Sequence, residues 1–165
     1  MTTQAAFTTE EWTLIRILPS LVSGGVSAAD PSGIFGSIKE AASGMTGMVR
    51  SLQQGSNIEL LKAMLDDRSL PGIPDPKTML GEGGREQQMA NIKAAVLARI
   101  GEAVSLLCRK ASPDEVQAYK QMIMGVAEKA ANASKEGGFL SFGGVRVSTA
   151  EQSFLNEVKG ALQLA

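Results

Sequence analysis

Apolar residues recur along this chain at intervals of three and four, the spacing that puts them on one face of an α-helix. Trp12, Ile15, Leu18, Val22 and Val26 form one such row. Met89, Ile92, Val96, Ile100, Ala103 and Leu107 form the most regular one and predict a core helix over 85–110. Val116, Tyr119, Ile123, Val126 and Ala130, with Met122 beside Ile123, predict a helix over 113–133. Phe154, Leu155, Val158 and Leu162 predict another over 149–163. A weaker row, Phe35, Ile38, Ala42, Met45, Val49 and Leu52, marks 31–53. Gly36, Gly44 and Gly47 interrupt it, each at about 1 kcal/mol against alanine in a helix interior. A short helix near 57–66 should turn Ile58, Leu61 and Leu65 inward. No long run alternates with period two, so no substantial sheet is expected. The pattern predicts an all-α fold, a single-domain bundle of five to seven helices over 1–165. The helix at 85–110 is expected at its centre, with those at 9–29 and 113–133 packed on it.

Local signals fix where these helices start. Three capping boxes occur, each a Ser or Thr followed three residues later by Glu: Thr8 with Glu11, Ser112 with Glu115 and Ser148 with Glu151. In each, the hydroxyl accepts from a free backbone N–H and the carboxylate reaches back to another. Pro113 follows Ser112 at the favoured first helical position. Pro19 falls inside the first row, where a missing N–H predicts a kink or a break, and Gly24-Gly25 weakens the same helix further. Asp30-Pro31 reads as another helix start. Residues 67–84 hold Pro71, Pro74 and Pro76 with several glycines and read as a long loop. Residues 135–147 read as a Gly- and Phe-rich connector whose Phe139 and Phe142 would plug the core.

The first and fifth of these predicted helices echo each other. Thr8 and Glu11 correspond to Ser112 and Glu115. In that register Trp12, Ile15, Leu18, Val22 and Val26 meet Val116, Tyr119, Met122, Val126 and Ala130. Three residues out of step, Phe35-Gly36 meets Phe142-Gly143. Two origins are open: an old duplication of a helix–loop unit, or two capped amphipathic helices that align on their stripes.

Composition narrows the chemistry. The 165 residues include no histidine and one cysteine. That excludes Ser-His-Asp and Cys-His catalysis, a Glu-x-x-His di-iron site, a CxxC redox pair and a cysteine-based zinc site. Sixteen Lys and Arg against 17 Asp and Glu leave a net charge of −1, with aromatics at 4%. Neither a basic stripe nor a stacking platform is present, so no nucleic-acid partner is expected. The longest charge-free apolar stretch, residues 17–29, contains Pro19 and is shorter than the about 20 residues a membrane span needs. The first residues lack a basic n-region, so no signal peptide is expected. The expected setting is the cytoplasm, where a free thiol is normal.

Each remaining candidate has a plainer reading beside it. Asp30 is a candidate cation ligand, and also a good N-cap before Pro31. Glu10-Glu11 and Asp66-Asp67 are paired carboxylates of the kind that can split into acid and base. Glu10, Glu11, Asp114, Glu115 and Glu151 all fall in first turns, where the helix dipole favours negative charge, and solvated helix-end acids are the expectation. Cys108 lies next to Arg109 and Lys110, which lower a thiol's pKa when they face it, but adjacent helical residues do not share a face. A buried structural thiol is expected. Gly137-Gly138 and Gly143-Gly144 lack the Lys-Ser/Thr that completes a phosphate loop. The methionines, Met45, Met48, Met64, Met79, Met89, Met122 and Met124, are expected as core gap-fillers.

Two segments carry a family likeness. Ala28-Ala29-Asp30 with Gly33, and Gly144-Val145-Arg146-Val147-Ser148-Thr149-Ala150-Glu151 followed by Leu155 and Val158, resemble the repeated motif of the tellurite-resistance TerB-like family. The likeness covers about a third of the chain. Glycine, at Gly143-Gly144, stands where the family carries its second Asp, and the Ser-x-x-Glu expected after Asp30 is displaced to Ser37 and Glu40. The resemblance implies an all-helical, cytoplasmic, stress-linked protein, with a divalent cation at acidic groups, for which Asp30 and Glu151 are the metal candidates. The residues themselves point to no catalytic and no cofactor-binding group. The leading expectation is a non-enzymatic helical interaction protein, engaging a protein partner or a second copy as a homodimer. The alternatives are the TerB-like cation binder and a carboxylate-based enzyme or small-ligand carrier.

Overall fold

In a computed structural model, residues 2–29, 57–69, 79, 81–133 and 148–164 are described. Every regular element among them is helical. A single 3-10 turn, Gln4–Ala6, precedes five α-helices: α1 Thr9–Ala29, α2 Glu59–Asp66, α3 Arg85–Lys110, α4 Pro113–Ala133 and α5 Thr149–Ala161. No helix among the described residues is long and apolar enough to cross a membrane. The expected helix at 31–53, the Asp30-Pro31 start and the connector at 135–147 lie outside the described residues, as does most of the loop at 67–84.

All three capping boxes form. Thr8 N donates to Glu11 Oε2 at 2.7 Å, and Glu11 N donates to Thr8 Oγ1 at 3.2 Å. Ser112 N donates to Glu115 Oε2 at 2.9 Å, and Glu115 N to Ser112 Oγ at 3.4 Å. Ser148 and Glu151 repeat the exchange at 2.9 and 3.2 Å. Each box satisfies two N–H groups that the first helical turn would leave unpaired. The α3–α4 junction is correspondingly short: Ala111 N donates to Leu107 O, and Ser112 then opens α4.

The centre of the bundle is α1, not α3. α1 packs most extensively against both α3 and α4, whereas α3 and α4 touch each other little. α5 closes the group against α1, α3 and α4, and α2 lies on α4. Ile15, Leu18, Val22 and Val26 are fully buried along α1, as are Val96, Ile100, Leu107, Ile123, Phe154 and Val158 on its neighbours. The predicted stripe of α2 is shifted by local packing. Leu60, Leu61 and Met64 are buried, while Ile58 and Leu65 are only partly covered. On α4, Ala127 and Ala131 take the inward positions and Ala130 is partly buried.

Two features of α1 that look like weaknesses are accommodated by its neighbours. Pro19 is buried, and the helix runs through it without a break. A proline there leaves the carbonyl four residues back, that of Ile15, without its helical donor. The hydroxyl of Tyr119 on α4 supplies the donor at 2.9 Å. Tyr119 is fully buried, so neither group has water as an alternative. Gly25 allows close approach: a Cβ there would stand 3.1 Å from Phe154 Cε1 and from Val96 Cγ2. Gly24 faces open space, with nothing within 4 Å of the same added atom.

Ile15 and Tyr119 are also matching positions in the internal echo, separated by 104 residues. The two echoed helices therefore meet at equivalent points. The Phe-Gly half of the echo lies outside the described residues.

Candidate functional site

The side chains that carry chemistry gather around the start of α1. Trp12, opening the stripe of α1, is buried, and its indole Nε1 donates to Asp67 Oδ2 at 2.8 Å. One turn on, the Arg16 guanidinium pairs with the same oxygen at 3.0 Å. It also donates to the carbonyls of Asp67 and Ser69 and to the Ser69 hydroxyl. Asp67 sits just past the end of α2, so this cluster ties α2 to α1. The Ser69 hydroxyl, the Trp12 indole and the Ser69 N–H, with Arg16 behind them, hold the Asp67 carboxyl down at about 2. Of the acidic pair Asp66-Asp67, only Asp67 is engaged in this way. Asp66 is exposed, so the structure does not bring the two together as an acid and a base.

Glu115 forms the second centre. Its side chain closes the α4 capping box and also receives the arm that precedes α1. Thr2 N donates to Oε1 at 3.0 Å and Thr2 Oγ1 to Oε2 at 2.7 Å. Burial alone would raise its pKa, but the Thr2 and Ser112 donors outweigh that and bring it to about 2. Lys110, the last residue of α3, reaches the third group. Its Nζ donates to Glu11 Oε2 at 2.6 Å and to Ala6 O at 3.1 Å, and lies 5.6 Å from the Phe7 ring centroid. The Lys110 hydrogen bond, followed by that from Thr8 N, lowers Glu11 below its ordinary range. Phe7 in turn stacks on Trp12 at 5.6 Å.

Two expectations need correction. Glu115 and Glu151 are not solvated: they are 5% and 2% exposed. Their carboxylates are buried because the capping donors come with them, so the box replaces water as their partner. Cys108 is likewise not buried but exposed. It follows the buried Leu107 by one residue, about 100° round the helix, and so faces outward with Ala94, Ala98 and Ser105.

Of the two metal candidates, Asp30 lies outside the described residues. Glu151 Oε2 accepts from Ser148 N at 2.9 Å and from Ser148 Oγ at 3.0 Å. Among the described residues no three His, Cys, Asp or Glu side chains come together as a metal would require. Met64 and Met122 are buried as gap-fillers, and Met79 and Met124 pack partly covered against the core. Met45, Met48 and the glycine-rich connector lie outside the described residues.

Sequence reasoning missed Thr2, Asp67 with Trp12 and Arg16, and the Tyr119 hydroxyl. One signal for the last was present. A proline inside a helix orphans a carbonyl, and a lone tyrosine on an apolar stripe must place its hydroxyl somewhere. No protein-family model matches the chain, and comparison with curated proteins and with solved structures returned no match.

Proposed function

We propose that this protein is a non-enzymatic helical interaction protein, working through contact with a second copy of itself or another protein. The observation that carries this reading is where its reactive groups are engaged. The buried acids Glu115 and Glu151 close helix starts, Asp67 joins α2 to α1, and the lone tyrosine supports a backbone carbonyl. Carboxylates held near 2 remain ionised at neutral pH and are poor proton donors there. These groups serve the rigidity of the scaffold. A rigid helical scaffold offers its outer faces to partners, and the outer face of α3 supports that role. Ala90, Ala94, Ala98, Ser105 and Cys108 are exposed along it, and Gly101 is half-buried, with no charge among them. Small side chains let another helix approach closely.

Sedimentation velocity at high micromolar concentration tests self-association. The expected result is a dimer that Ala98→Glu, at the middle of that face, returns to monomer. A wild-type monomer throughout that range would remove the homodimer, and a dimer unaffected by Ala98→Glu would remove the α3 face.

A further inference from the structure

We infer that residues 2–7 form an openable strap, latched at Glu115, whose release uncovers Trp12. The segment touches α2 through its 3-10 turn and is fastened by hydrogen bonds and ring contacts at two places. Thr2, 5% exposed, is held by its two hydrogen bonds to Glu115 at the start of α4. Phe7 is held by stacking on Trp12, with Lys110 over its ring and on the neighbouring Ala6 carbonyl. Between the fastenings, Thr3, Gln4, Ala5 and Ala6 are exposed. Their backbone bonds stay within the segment, Ala6 N to Thr3 O and Phe7 N to Gln4 O, both at 3.0 Å. The span therefore has two strong ends and a middle with little burial, the profile of a unit that opens locally while the helices stay folded.

Opening breaks no helical bond. Thr8 keeps its box with Glu11, and Ser112 keeps its box with Glu115. It exposes one face of the Trp12 ring and vacates the places that Thr2 takes on Glu115 and the Ala6 carbonyl takes on Lys110, while Ser112 stays on Glu115 and Glu11 stays on Lys110. Those groups recognise the features the strap itself presents: a hydroxyl and an N–H for Glu115, a carbonyl for Lys110, and an aromatic ring for Trp12. A peptide bearing a Ser or Thr and, five residues on, an aromatic side chain is the ligand class that would take the vacated place.

The full chain contains one tryptophan, so selectively excited tryptophan fluorescence reports on Trp12 alone. Thr2→Val removes the hydroxyl donor and leaves the α4 box intact. Losing one hydrogen bond to a charged group corresponds to about a tenfold change in an opening equilibrium. Amide exchange in 2–7 should therefore accelerate by about tenfold in Thr2→Val, with stronger acrylamide quenching of Trp12 and unchanged helical circular dichroism. Glu115→Gln should move both readouts in the same direction. Unchanged exchange and quenching in Thr2→Val would overturn the latch. Faster exchange spread equally through α1 and α4 would also overturn it, because the segment would then open only with the whole fold.

Discussion

Helices α1 and α4 begin with the same signature and carry stripes in the same register, yet they occupy different physical situations. The box glutamate of α1, Glu11, is partly exposed and shares its charge with Lys110. That of α4, Glu115, is buried and shares its charge with Thr2. α1 carries a proline in its interior and α4 supplies the tyrosine that compensates for it. The difference teaches that a local motif determines a helix start, while its energetic weight is set by what the fold brings against it.

Substituting the two box glutamates sharpens the contrast most. Glu115→Ala should lower the unfolding free energy by about 3 kcal/mol, since it strands the buried Thr2 donors and removes the partner of the α4 capping box. Glu11→Ala should cost only a small part of that, its donors being open to water. Urea unfolding of the two variants measures the gap, and equal losses would break the comparison.

The Pro19–Tyr119 pairing comes next. Tyr119→Phe should cost about 2 kcal/mol, because the buried Ile15 carbonyl loses the Tyr119 donor. In a Pro19→Ala background the helix supplies its own N–H at position 19, and the cost of Tyr119→Phe should fall sharply. A double-mutant cycle reads this coupling directly, and additive costs would refute it.

Smallest are the glycines. Gly25→Ala in α1 should destabilise by about 1 kcal/mol, because the fully buried Phe154 and Val96 cannot give way without strain, even after the helix-propensity gain. Gly125→Ala in α4 meets nothing within 4 Å. It should stabilise by about 0.5 kcal/mol in thermal unfolding.

Helix placement was highly legible because periodicity and capping are local. Three boxes and four clear stripes located α1, α3, α4 and α5 to within a residue or two. The central helix was not legible. Regularity of spacing favoured 85–110, and nothing local shows that Gly25 admits Phe154 or that Tyr119 answers Pro19. The polar centres were hidden for the same reason. Glu115 reads like Glu11 until Thr2, far away in the chain, arrives beside it, and Asp67 reads as a solvated acid until Trp12 and Arg16 converge on it. Cys108 was misplaced by one helical position, the step between an inward Leu107 and an outward thiol.

The central claim is that Glu115 and Asp67 are ionised anchors of the fold. The pH dependence of stability tests it most directly. Glu115 falls from an ordinary 4.5 to about 2 in the folded chain. A depressed carboxylate stabilises fully above its unfolded value, and that contribution is lost as pH falls toward the folded one. Asp67, lowered from 3.8 to about 2, adds to the same window. Urea unfolding of wild type and Glu115→Gln, from about pH 6 down to about pH 2.5, isolates the share of Glu115. The expected result is a wild-type advantage near neutrality that shrinks steadily below about pH 4.5. Parallel curves, with the same gap at every pH, would show that the Glu115 charge contributes nothing to the fold and would contradict the claim.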